Sequence, residues 1–383
     1  MNLHLARFVV TLLLCGCAAA PFEPAAPGRE PDPARDADPL LSRSRVPHEV
    51  VAEAFLTRAT PDDNIDSPAA WTAPDHATWL LATAKKGDHL VIYDGDSGAT
   101  LRTFGARGDG PGEFRQPNGI AVHGNLAFVV ERDNRRVQVL ELPSLRTLAM
   151  FGSDELRQPY GLWLREITAD TLEVLVTDSY MRGVDANGDI IVPPLAELGR
   201  RVQRYRVEVS GDRVLARHAG AFGATDAAGA IRIPESLWGD PAHDRLLVAE
   251  EDTATGTALR VYDLDGDYHR TIGLDDFEAQ AEGIALWACA DGSGYWLATD
   301  QFRDRSVFHV YDRETLAHLG AFAGETVANT DGVWLNQAPT LAFPAGVFYT
   351  AHDDRAVGAF DWRDVAGALG LRERCTEETG VAP

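Results

Sequence analysis

Residues 116–152 read QPNGIAVHGNLAFVVERDNRRVQVLELPSLRTLAMFG. Four short runs stand out, at 119–122, 126–129, 137–140 and 148–152. Each is apolar or alternates apolar with polar, and turns of Gly, Asn, Asp and Pro separate them. Runs of this length and period are strands, and four in succession joined by short turns fold back and forth as one small sheet.

The same unit recurs on both sides, at a period of about 40 to 60 residues, the range of solenoids and propellers. First strands follow glycine at 119–122, 161–164, 283–286 and 332–335. Second strands fall at 79–82, 126–129, 174–176, 246–249, 295–298 and 347–349. Third strands follow at 90–93, 137–140, 259–262 and 308–311, and fourth strands at 101–105, 148–152 and 319–322. Four strands in each of six units predict an all-β, six-bladed β-propeller. The sixth unit is one strand short: after 357–360 the chain turns into a helix-like pattern at 362–369. An open edge strand invites aggregation, so the ring must close. The apolar-rich segment 46–60 is expected to supply the missing outer strand of blade six.

The chain has 383 residues, is 45% hydrophobic and carries a net charge of -23. That is a globular composition, and its charge repels nucleic acid and anionic headgroups. Residues 1–17 read as an export signal, with Arg7 before an apolar run too short to span a membrane. Leu14-Cys15-Gly16-Cys17 resembles a bacterial lipobox, which implies lipidation of Cys17; the alternative is an ordinary signal cut near residues 18–20. Residues 18–45 read as a Pro/Ala-rich tether, and 46–383 as the propeller. The expectation is an exported, monomeric cell-envelope lipoprotein on the outer membrane or periplasmic face, touching the membrane through its anchor alone. Cys289 and Cys375 can pair in an oxidising compartment or remain separate thiols; sequence separation does not choose between these. No CxxC or His/Cys cluster suggests zinc.

Two positions per repeat carry the chemistry. Just before the first strand stand Asp66, Asn118, Tyr160, Glu235, Glu282 and Asp331. Just after the second strand stand Lys85, Glu131-Arg132, Asp178, Glu250-Glu251, Asp300-Gln301 and Asp353. In an up-and-down blade both turns lie at one end, so these residues are expected to gather around one axial mouth. Carboxylates held this close favour a hard cation, and calcium accepts six to eight oxygen ligands. Lys85, Lys86 and Arg132 could add phosphate contacts, Arg132 in bidentate fashion. No Ser/His/Asp or Cys/His nucleophile arrangement suggests itself.

Several stretches resemble the β-propeller phytases. They include Ile65-Asp66-Ser67-Pro68-Ala69-Ala70-Trp71, Ala84-Lys85-Lys86, Ala249-Glu250-Glu251-Asp252, Ala281-Glu282-Gly283-Ile284, Thr330-Asp331-Gly332 and Phe360-Asp361-Trp362-Arg363. The likeness runs over roughly residues 62–370 and is strongest after residue 230. It implies a calcium-dependent phosphomonoester hydrolase acting on myo-inositol hexakisphosphate, a phosphorylated small molecule bridged by calcium. By position it makes Lys85, Arg132, Tyr160, Glu235, Glu251 and Glu282 the phosphate- and calcium-site residues. It makes Asp66, Asp300, Gln301, Asp331 and Asp353 calcium ligands or their neighbours. The chain departs from the family pattern at Ser67, at Gln116-Pro117-Asn118-Gly119 and at Thr177-Asp178-Ser179-Tyr180. The last replaces a Lys-Glu pair and bears on a second phosphate-binding site. A second resemblance, to NHL repeats, covers 108–139 and implies the same architecture used as a non-catalytic binding platform.

Overall fold

A computed structural model describes residues 39–186 and 190–375. The expected export signal and Cys17 lie outside these residues. Two short strands come first, β1 (Glu49–Val50) and β2 (Phe55–Leu56). Blade one is β3 (Ile65–Thr72), β4 (Thr78–Ala84), β5 (His89–Asp94) and β6 (Thr100–Phe104). Blade two is β7 (Pro117–His123), β8 (Leu126–Glu131), β9 (Arg136–Glu141) and β10 (Arg146–Phe151). Blade three is β11 (Pro159–Thr168), β12 (Thr171–Asp178), β13 (Val202–Ser210) and β14 (Arg213–Phe222). Blade four is β15 (Pro234–Asp240), β16 (Arg245–Glu250), β17 (Ala258–Tyr262) and β18 (Tyr268–Ile272). Blade five is β19 (Ala281–Ala288), β20 (Gly294–Gln301), β21 (Ser306–Asp312) and β22 (His318–Ala323). Blade six is β23 (Val333–Asn336), β24 (Val347–His352) and β25 (Ala356–Asp361), followed by helix α1 (Trp362–Leu369). The protein is a six-bladed β-propeller, each blade antiparallel with its first strand innermost.

Closure is as expected for blade six, where β2 pairs antiparallel with β25, Phe55 opposite Ala359. The N-terminal segment does more than that, because β1 adds to blade five as a fifth strand, parallel to β22. Between them the Glu53 carboxylate accepts from the backbone N–H groups of Thr326 and Val327 at 2.8 and 2.6 Å. Residues 39–45 are not free tether either: the Asp304 carboxylate accepts from the N–H groups of Leu41 and Ser42. Three backbone donors on Glu53 and two on Asp304 hold this segment to blade five.

Apolar side chains of neighbouring blades meet between the sheets, because each strand alternates its faces and both faces are covered. The interface of blades five and six is sealed further by Val51 and by Trp362, Val365 and Ala366 of α1. Trp362 stacks on Trp287 with ring centroids 5.5 Å apart. Asp361 caps α1 by accepting from Arg363 N–H, and Gly370 ends it in the left-handed conformation. Cys289 and Cys375 form a disulfide that fastens the segment after α1 to blade five.

Candidate functional site

Each of the first five inner strands carries the same irregularity at its start. In blade two Pro117 pairs with Glu131 and Ile120 with Val129, so Asn118 and Gly119 bulge out of the ladder. The same step occurs at Asp66-Ser67, Tyr160-Gly161, Glu235-Ser236 and Glu282-Gly283. A bulge re-aims side chains at the rim of a sheet, and here it places one polar residue per blade beside the axis. The residue after it is always small: Ser67, Gly119, Gly161, Ser236, Gly283 and, in blade six, Gly332. These six line a narrow axial cavity of about 40 Å³. Glycine is required there by close approach: a Cβ on Gly119 would lie 2.7 Å from the Tyr160 carbonyl oxygen, and one on Gly161 2.7 Å from that of Glu235. Small residues therefore let the inner strands draw together and bring the polar residues before them to one mouth.

The second set of positions divides into two layers with different work. Glu131, Asp178, Glu250 and Asp300 sit opposite the first residue of their own inner strand and are fully buried. Their oxygens accept from the loop that enters that strand. Asp178 takes the N–H groups of Arg157 and Gln158 at 3.1 and 2.7 Å. Glu250 takes those of Arg232 and Ile233 at 2.7 and 3.0 Å, and Asp300 those of Glu278 and Ala279 at 3.0 and 2.7 Å. Glu131 takes Arg115 N–H at 3.2 Å and pairs with Arg136 at 2.6 Å. In blade six a histidine stands in this place, the ring of His352 accepting from Ala328 N–H at 3.2 Å. Burial lowers the pKa of His352, which keeps the ring neutral and able to accept. Burial raises Asp178 to about 6 and raises Glu250 above the usual carboxylate range. These groups set the loops. Asp300, expected among the calcium ligands, belongs to this layer.

The next residue in each blade forms the outer ring of the mouth: Lys85, Arg132, Ser179, Glu251, Gln301 and Asp353. Lys85 Nζ lies 3.2 Å from Asp66 and 3.7 Å from Asp331, so it joins blades one and six. Gln301 donates to Asp331 at 2.6 Å, and Gln280 to Glu251 at 2.9 Å. Ser67 donates to Asp66 at 2.9 Å. Arg132 is buried beside the Tyr160 phenol and pairs with Asp133 at 2.9 Å. Burial alone would lower its pKa; Tyr160 and Asp133 outweigh that and raise it. Glu282 is buried and Glu235 half-buried on the neighbouring blades. Asp353 is apart from this group: it is partly exposed, has a φ of 47° and pairs with Arg355.

Two members of the mouth have a different standing. Asn118 is 1% exposed, and neither of its amide atoms has a hydrogen-bond partner among the described residues. Ser179 is fully buried, and its hydroxyl is likewise without one. The sequence reading missed Ser179, since Asp178 beside it drew the acidic assignment.

No protein-family model matches the chain, and no curated protein matches it. Among solved structures, Kuenenia stuttgartiensis hydrazine synthase is similar at 11% identity and a TM-score of 0.46, over 82% of this chain and 81% of that one. Among the described residues no three His, Cys, Asp or Glu side chains stand close enough together to hold a metal ion. The donor types are those a hard cation prefers, but Asp66 and Asp331 are already shared by Lys85.

Proposed function

We propose that the mouth binds a phosphate ester and hydrolyses it as a calcium-dependent phosphomonoester hydrolase, with myo-inositol hexakisphosphate or a related ester as substrate. The observation that carries this reading is the buried Arg132–Tyr160 pair, in a mouth whose ring positions also include Glu235, Glu251 and Glu282. Arg132 and Tyr160 would hold phosphate oxygens by charge and hydrogen bond. Glu235, Glu251 and Glu282 would hold the cation together with oxygens of the ester itself, which explains why the protein alone need not group three acids. Calcium, when bound, would neutralise phosphate oxygens. Glu282, buried with its carboxylate at the bulge of blade five, is the group assigned to acid–base work. In the same proposal the chain is exported and held at the cell envelope by lipid on Cys17.

The test is phosphate release from the hexakisphosphate and from a simple monoester, with calcium and with a chelator. Glu282→Gln keeps the shape and removes the charge, and is expected to lower the rate by about 100-fold or more. Equal rates in wild type and variant would remove Glu282 from the site. A second reading, a non-catalytic binding platform, is favoured by Lys85 held between Asp66 and Asp331. Absence of phosphate release from every ester with calcium present would leave that reading in place.

A further inference from the structure

A cavity of about 340 Å³ lies between blades two and three, at the end of the propeller away from the mouth. Ligand cavities run from about 300 to 1,000 Å³, so this one suits a small molecule. The turn joining β7 to β8 and the turn joining β11 to β12 wall it, whereas the mouth residues Asn118 and Tyr160 stand at the opposite ends of β7 and β11. Strand length makes the space. β11 and β14 run to ten residues each, against seven for β7 and six for β10. The inner strands of both blades begin alike, at the bulges of the mouth, so the extra length of blade three projects at the far end. Three more residues in β11 amount to roughly 10 Å of strand, and blade two ends beneath that overhang.

The lining is apolar with one open charge. Leu148 stands out of the ladder at a bulge of β10, between Thr147 opposite Leu140 and Ala149 opposite Val139. The leucines at the same bulge in blades one and five, Leu101 and Leu319, are exposed, but Leu148 is half-buried and lines the cavity with Leu126, Leu172 and Val209. Glu141 and Asp170 also line it, and no Lys or Arg does. Glu141 is compensated: Arg146 pairs with it at 3.2 Å and Ser144 donates to it at 2.7 Å. Asp170 differs. Its backbone carbonyl accepts from Val209 N–H at 2.9 Å and fixes the turn, but its carboxylate has no hydrogen bond or ion pair among the described residues. No three His, Cys, Asp or Glu side chains among the described residues could hold a metal ion, and a bare ion would leave the four apolar side chains unused. One carboxylate beside hydrocarbon matches one ammonium on a short apolar body. Each CH₂ group taken fully out of water is worth about fourfold in affinity. We propose that this cavity binds a small aliphatic amine, its ammonium on Asp170 and its hydrocarbon on Leu126, Leu148, Leu172 and Val209. The net charge of -23 raises the local concentration of such cations. The site is separate from the mouth and does not rest on the phosphate reading.

The test is an amide NMR titration of the full chain with n-pentylamine, 1-pentanol and methylamine, in chelator at neutral pH and low ionic strength, where both amines are ammonium ions. Pentylamine should shift the amides of Gly124, Asp170 and Gly211 saturably. It should bind about tenfold or more tightly than methylamine, which lacks four CH₂ groups. It should bind up to about fivefold more tightly than 1-pentanol, the worth of an exposed ion pair. Asp170→Asn should bring the preference over pentanol to about one, and Leu148→Asn should weaken pentylamine and pentanol alike. Asp170 is exposed and Leu148 is half-buried on an edge strand, so both variants are expected to fold. Absence of saturable shifts, shifts confined to the mouth, or equal binding of pentanol and pentylamine by wild type would overturn the proposal. So would unchanged pentylamine affinity in either variant, or the same shifts produced by calcium with the chelator left out.

Discussion

Lys85 ties blade one to blade six by an ion pair at the mouth. Its side chain is 4% exposed and its ammonium faces Asp66 and Asp331, whose side chains are 2% and 15% exposed. Lys85→Met keeps the stem and removes the positive charge that lies between the two acids. Breaking a buried pair in this way costs on the order of 3 kcal/mol, so the melting temperature should fall. Calcium, on the proposed reading, should restore part of it by replacing the lost positive charge; a variant as stable as wild type in chelator would show the pair to be idle. Asp178 offers a pH test. Its folded value of about 6 lies above the ordinary 3.8 because of burial. Protonation therefore favours the folded state: the contribution is complete below about pH 4 and is lost as pH rises through 6. Denaturation at pH 4.5 and pH 7 should show wild type losing stability relative to Asp178→Asn as pH rises. A pH-independent difference would mean the carboxylate is not shifted.

At the scale of elements, the N-terminal strap is the part that closes the ring. A chain beginning at residue 39 retains β1, β2 and the Glu53 contacts, and should melt as the full chain does. One beginning at residue 61 loses all three and bares the edge of β25, so it should aggregate. Light scattering during a thermal ramp distinguishes them, and equal solubility of both would show that β2 is dispensable. Glu53→Ala is the milder test. It strips the acceptor from Thr326 and Val327 N–H, and a loss of about 1–3 kcal/mol is expected by chemical denaturation. The strands themselves were legible in the sequence because period-2 alternation is local. Strands β3, β13, β14, β15 and β18 were not picked out: β3 and β15 lack the leading glycine, blade three puts a long connection between β12 and β13, and β14 and β18 hold no fully buried residue. The parallel pairing of β1 was hidden too, since a two-residue strand carries no period.

For the whole molecule, the disulfide and the closing interface stand or fall together. Cys289 and Cys375 are 86 residues apart, and the chain-entropy account of a loop that long gives about 4–5 kcal/mol. Reduction should lower the melting temperature, and Cys375→Ser should reproduce the effect without reductant. An unchanged transition on reduction would place the stability of blades five and six in the Trp287–Trp362 packing alone.

The sequence by itself determined what is local and repeated. Alternation set the strands, glycine marked the entrance to four of the six inner strands, and the recurrence of both set six blades and one mouth. Tertiary structure alone decided which polar residues meet there. Glu131, Asp178, Glu250 and Asp300 are neighbours in sequence of mouth residues, yet the reversal of side-chain direction along a strand turns each of them onto its own entrance loop. Lys85 meets Asp331, and Thr57 meets Val357 across 300 residues, only because the ring closes. No local pattern encodes that meeting: a contact between distant segments depends on where the whole chain brings its ends.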